Sequence, residues 1–83
     1  MLTIKILGSG CTNCKRVEAL AREATANLGV EAEFVKVTEY ADIMKFGILS
    51  TPGLVINDQV VSSGRIPTVA EITTFLANAL EGA

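Results

Sequence analysis

The chain has 83 residues, 49% of them apolar and 19% charged, with a formal net charge of −2. That size and balance fit one small globular domain, taken as residues 1–83 and of the α/β class by the element order below, which buries only roughly 60–65% of the surface its unfolded form exposes. The slight acidity, and aromatic residues not interleaved with Lys and Arg, exclude a phosphate-gripping surface, so nucleic acid is not an expected partner.

The opening residues, "MLTIKIL", hold five apolar side chains around Thr3 and Lys5. That run is too short and too interrupted for a secretory signal or a membrane span. The expectation is a cytoplasmic protein with no membrane partner, in a compartment where lasting structural disulfides are rare. Leu2 to Leu7 reads as a strand that stops at Gly8 and Gly10. From Cys11 the period changes: Val17, Leu20, Ala21, Ala24 and Leu28 form the apolar stripe of a helix, closed by Gly29. Glu33 to Val37 is a second strand. Thr38 is placed to cap a short helix that packs Ile43, Met44 and Phe46 and ends at Gly47.

Leu54–Asn57 and Gln59–Ser63 are β-rich runs joined by a tight turn at Asn57-Asp58. The last helix opens at Pro67-Thr68, with Glu71 completing a capping box, and its apolar face is Val69, Ile72, Phe75, Leu76, Ala79 and Leu80. The order is β-α-β-α-β-β-α. The first two strands, joined by a helix, should pair in parallel and the last two antiparallel, giving a four-stranded mixed sheet with helices on both faces.

Both cysteines sit in "LGSGCTNCKRVEALA", as Cys11 and Cys14 at the start of the first helix. Open N–H groups at a helix start favour negative charge, and thiol–disulfide exchange needs a thiolate. Cys11, facing water, would attack a client disulfide, and Cys14, one turn on, would displace the client and close the bridge. Thr12 and Asn13 set the turn between them, and Lys15 and Arg16 add positive charge beside it.

Other uses of the pair are weaker on physical grounds. Core packing needs no glycine turn or helix start. A structural staple over so small a loop restrains the unfolded chain little. Zinc wants about four ligands, and this chain offers two thiols and no histidine. A two-coordinate soft ion such as copper(I) would accept two thiolates, so a soft-metal carrier stands as the alternative function. The "GSG" stretch is a poor dinucleotide loop, since Asn13 falls where the third glycine belongs.

The second informative stretch is "STPGLVIN". Pro52 cannot donate to a strand ladder and so belongs at a strand's first position or in a special turn, with the Thr51–Pro52 bond either cis or trans. C-x-x-C opening the first helix and T-P-G before the third strand, on this element order, resemble the thioredoxin-like family over essentially the whole chain. The likeness is greatest to its small, glutaredoxin-sized redox-active disulfide proteins.

The resemblance implies a minimal thioredoxin-like fold with the first strand between the second and third. It implies Cys11 as nucleophile, Cys14 as resolving thiol, a cis Pro52 packed against them, and Thr51 offering backbone hydrogen bonds to an extended client segment. It places Gly64 near the cysteines, within reach of clients. The partners it implies are disulfide-bearing client proteins and an electron-donating reductase, with no bound cofactor and a monomeric chain.

The sequence departs from thioredoxins proper. Gly10 stands where they have an aromatic residue, Thr12-Asn13 where they have Gly-Pro, and Lys5 near the place of their buried acid. An inward Lys5 would tune the thiolate, whereas a Lys5 whose stem packs and whose ammonium reaches water would not. The set of groups that binds glutathione is not identifiable. Tyr40, Met44 and Phe46 are expected to pack the second helix, and Arg65 to be a solvated surface charge.

Overall fold

A computed structural model describes residues 2–8, 12–48 and 50–81. Along the chain these form β1 (Leu2–Leu7), α1 (Thr12–Leu28), β2 (Ala32–Val37), α2 (Tyr40–Met44), β3 (Gly53–Ile56), β4 (Gln59–Ser63) and α3 (Val69–Glu81). The sheet runs β2-β1-β3-β4. β1 pairs in parallel with β2, while β1–β3 and β3–β4 are antiparallel. This is the mixed four-stranded sheet, with the first strand between the second and third, that the resemblance implies. Among the described residues no helix is long and apolar enough to cross a membrane.

Alternation along β1 splits the interior into two layers. Leu2, Ile4 and Ile6 face α1 and α3, where they pack with Cys14, Val17, Ala21, Ala24, Leu54, Ile56, Ile72 and Leu76. Leu7 faces the other way, into a smaller cluster with Ile43, Ile48 and Val55 beneath α2. Thr3 and Lys5 share that second face by the same alternation.

Local chemistry sets the element ends. α1 closes through Gly29 at φ 68°, with Gly29 N–H donating to Ala26 (3.1 Å) and Val30 N–H to Thr25 (3.2 Å). This is the paired-bond ending that a left-handed glycine permits. Asn57 (φ 51°) and Asp58 (φ 68°) both lie in the left-handed region, as a two-residue hairpin turn requires. Asn57 also accepts the Thr3 N–H through Oδ1 at 3.1 Å, tying the turn to β1.

Several expectations are corrected. α2 is capped at Glu39 rather than Thr38, with no side-chain hydrogen bond, and it ends before Phe46. Tyr40 and Met44 do not pack: they are 74% and 49% exposed, because so short a helix buries only the side with Ile43. Leu28 and Leu80, expected in the core, lie in the last turns of their helices and are 37% and 45% exposed.

At the start of α3, Thr68 Oγ1 accepts the Glu71 N–H at 3.1 Å while Glu71 Oε1 accepts the Thr68 N–H at 3.1 Å. Thr68→Ala should therefore cost about 1 kcal/mol, read as a lower urea midpoint at unchanged m-value.

Candidate functional site

The candidate site is built where three strands end together. Leu7 pairs with Val37 on one side and Gly53 on the other. The next residue, Gly8, donates its N–H to the Val37 carbonyl at 2.9 Å. α1 begins at Thr12 and brings Cys14 back over this strand end, 4% exposed. Cys14 is disulfide-bonded. The sequence has one other cysteine, Cys11, which lies outside the described residues.

Glycine is required at position 8 by contact. A side-chain carbon there would run into Cys14 Sγ, and it would lie 3.3 Å from Cys14 Cβ and 3.9 Å from Thr51 Cβ. The sulfur and the Thr51 side chain are thus neighbours of one point on the β1 backbone. Thr51 is exposed, Pro52 is buried, and the bond between them is cis.

Two further glycines hold that turn. Gly64 donates its N–H to the Pro52 carbonyl at 2.9 Å, has φ 73°, and would place a Cβ 2.9 Å from Ser50 Cβ. Only a residue without a side chain satisfies all three conditions. Gly53 lies against Ile48 Cδ1 and Leu7, so a Cβ there would sit 2.7 Å from the isoleucine.

Of the other sequence-predicted residues, Thr12 and Asn13 are exposed in the first turn of α1. Lys15 lies next to Cys14 and is exposed. Lys5 is not brought to the sulfur. Its ammonium pairs with Asp58 at 3.1 Å and sits 5.4 Å from the Phe46 ring centre, on the sheet face opposite Cys14. The reading of Lys5 as an inward tuning charge fails because β1 alternation turns it toward α2. Arg65 is engaged by both oxygens of Glu71, at 2.8 and 3.2 Å.

The sequence reading missed Glu18 and Lys36. With Ile6, Gly8, Cys14, Lys15 and Thr38 they line a notch of about 40 Å³. Glu18 is one helical turn after Cys14, and Lys36 faces α1 because even-numbered residues of β2 do, as Phe34 and Ala32 show by packing into that core. Lys36 Nζ meets Glu18 Oε1 at 3.2 Å; Arg22 Nε and a terminal nitrogen both meet Oε2 at 3.0 Å. Burial alone would push the Glu18 carboxyl up, but hydrogen bonds and charge from Arg22 and Lys36 outweigh it and hold it below its ordinary value. The i, i+4 spacing from Cys14 was the available signal for Glu18. A larger cavity of about 470 Å³ lies at the far end of the sheet, by Asn57, Gln59 and Phe75, away from Cys14. Among the described residues no three metal-binding side chains cluster.

Residues 2–77 match the model of a family described as Thioredoxin domain. A thioredoxin of Methanothermobacter thermautotrophicus is 39% identical over 77 residues, covering 93% of this chain and all of the relative. A thioredoxin of Methanocaldococcus jannaschii is 39% identical over 82 residues, covering 99% of this chain and 94% of the relative. Among solved structures, the oxidised thioredoxin from Plasmodium falciparum has a TM-score of 0.61 at 20% identity, over 94% of this chain and 80% of that one. A structure described as that of a malarial protein has a TM-score of 0.69 at 13% identity, over 96% of this chain and 98% of that one.

Gly8→Ala should destabilise the oxidised protein by about 1–3 kcal/mol, the usual cost of overpacking, measured by urea unfolding. An unchanged midpoint would mean the sulfur can move off the strand end. Glu18 predicts an acid limb. Its folded carboxyl titrates below the unfolded one, so its stabilisation is complete above the ordinary carboxylate range and drains away as pH falls through the folded value. Glu18→Gln should flatten the dependence of the thermal midpoint on pH in that window.

Proposed function

The chain belongs to the thioredoxin-domain family, and from that premise we propose that it is a thiol–disulfide oxidoreductase that reduces or exchanges disulfides in client proteins through Cys11 and Cys14. The observation that carries this reading is the setting of Cys14. It is disulfide-bonded near the start of α1, and its sulfur and exposed Thr51 flank the same bare glycine. A buried sulfur beside an accessible turn suits a resolving thiol.

In this mechanism the Cys11 thiolate attacks one sulfur of a client disulfide. The client S–S bond breaks, and its other sulfur leaves with the electron pair and takes a proton. Cys14, as thiolate, then attacks Cys11 Sγ, breaking the mixed disulfide and releasing the second client thiol. The client has gained two electrons and two protons, and the domain is left oxidised. An electron-donating reductase returns both. The exchange uses protein sulfur only, so no bound cofactor is needed.

Thr51 supplies backbone groups to an extended client segment, a form of strand addition, with Thr12, Asn13 and Gly64 around it. Lys15, at the helix start, favours the thiolate modestly because it is exposed. The chain acts as a monomer in a reducing, cytoplasmic setting. A soft-metal carrier of the copper type would follow its first helix with a hairpin, whereas here β2 pairs in parallel with β1 and α2 comes next.

The decisive measurement is trapping. With a model disulfide substrate, Cys14→Ser should accumulate a covalent adduct at Cys11, seen by mass, and Cys11→Ser should form none. Wild type should turn the substrate over with no adduct. Copper(I) competition in the same buffer completes the test: tight metal uptake with negligible turnover would reject exchange in favour of the carrier.

A further inference from the structure

The notch beside Cys14 is small and partly open to solvent, and three charged residues, Lys15, Glu18 and Lys36, line it. About 40 Å³ leaves room for roughly one ordered water. Cys14 lines it together with Glu18 and Lys36, which are joined at 3.2 Å. We propose that the Glu18–Lys36 ion pair sets how readily Cys14 gives up its thiol proton, as a positioning pair and not as a proton acceptor; this rests on the exchange reading above.

The carboxylate is a poor base in this place. Both its oxygens are engaged by cations, Oε1 by Lys36 and Oε2 by Arg22, which keeps it ionised. What it can do is hold the Lys36 ammonium beside the notch that Cys14 lines. When the domain is reduced and Cys14 ionises (thiol and water giving thiolate and hydronium), a negative charge appears on a residue that is almost fully buried. Such a charge depends on its fixed neighbours. Lys36 attracts it and Glu18 repels it, so the pair sets a balance that neither residue gives alone.

Few other charges compete. On α1, Lys15 lines the same notch, and Arg22 lies a turn beyond, held by Glu18 and stacked 4.3 Å from the Phe34 ring centre. β1 presents Ile4 and Ile6 on this face, and α3 presents Ile72 and Leu76. The 50–52 turn brings Ser50, Thr51 and Pro52, none of them charged. Glu39 follows Thr38 and is exposed outside the notch lining. Lys5 and Asp58 are on the far face.

The test is a thiol titration in the reduced Cys11→Ser protein, following thiolate ultraviolet absorbance and the pH dependence of alkylation by iodoacetamide. Lys36→Gln should raise the Cys14 midpoint and Glu18→Gln should lower it, each by about half to one pH unit. The double variant should return toward the parent, and Lys36→Arg should keep the parent value. Circular dichroism confirms that each variant is folded. A loss of packing alone would not move the two single variants in opposite directions. Shifts of the same sign, or no shift in either, would overturn the proposal. Because the titration uses no client, its outcome is independent of whether Cys14→Ser traps a substrate.

Discussion

The structure depends on one close approach: a sulfur laid directly on the backbone at the end of β1. Gly8 has no side chain, and any carbon added there would occupy the place of Cys14 Sγ. The approach requires α1 to lie low over the sheet. Its buried positions after Cys14 are Val17, Ala21, Ala24 and Thr25, none of them a large side chain. Thr25 hides its hydroxyl by donating to the Arg22 carbonyl at 2.8 Å within the helix. A bulkier face would lift the helix and separate sulfur from strand.

The two halves of the site are positioned by different layers. Cys14 belongs to the larger core between the sheet and α1 and α3. The 50–53 turn is fixed from the other side, through Ile48 and Leu7 packed against Gly53 in the smaller core. The sheet joins them, because β1 and β3 pair at Leu7 and Gly53. The Gly64 N–H to Pro52 carbonyl bond extends the same brace to the end of β4. Damage to either core would therefore misalign the sulfur and Thr51 without touching either.

Most of the fold was legible because its signals are local. Strand alternation, the left-handed closing glycine at 29, the Asn57-Asp58 turn and the Thr68–Glu71 capping box each act over a few residues. The motif pair C-x-x-C and T-P-G pointed to the family. What was not legible needed the third dimension. Whether Tyr40 and Met44 pack depends on how little of α2 reaches the sheet. Leu28 and Leu80 continue the apolar stripes of their helices, yet how far the core extends under the last turn is set by tertiary packing. Gly64 was placed near the cysteines by resemblance, but its bond to the Pro52 carbonyl joins the end of β4 to the turn before β3, a pairing that no local pattern announces.

The charge beside the sulfur shows the same limit most clearly. On β1 the residues facing α1 are Leu2, Ile4 and Ile6, so a cation at position 5 must face away, and Lys5 is taken up by Asp58 and Phe46. Beyond the adjacent Lys15, charge reaches Cys14 from one turn along its own helix and from the neighbouring strand. Glu18 and Lys36 occupy those two places. Each looks like an ordinary solvated residue in the sequence, since the first lies off the apolar stripe of α1 and the second on an edge strand. Their pairing at 3.2 Å exists because the parallel register of β1 and β2 sets Lys36 opposite Ile6, two residues before the glycine on which the sulfur rests. The electrostatics of the sulfur are therefore a property of strand register, which no single stretch of sequence contains.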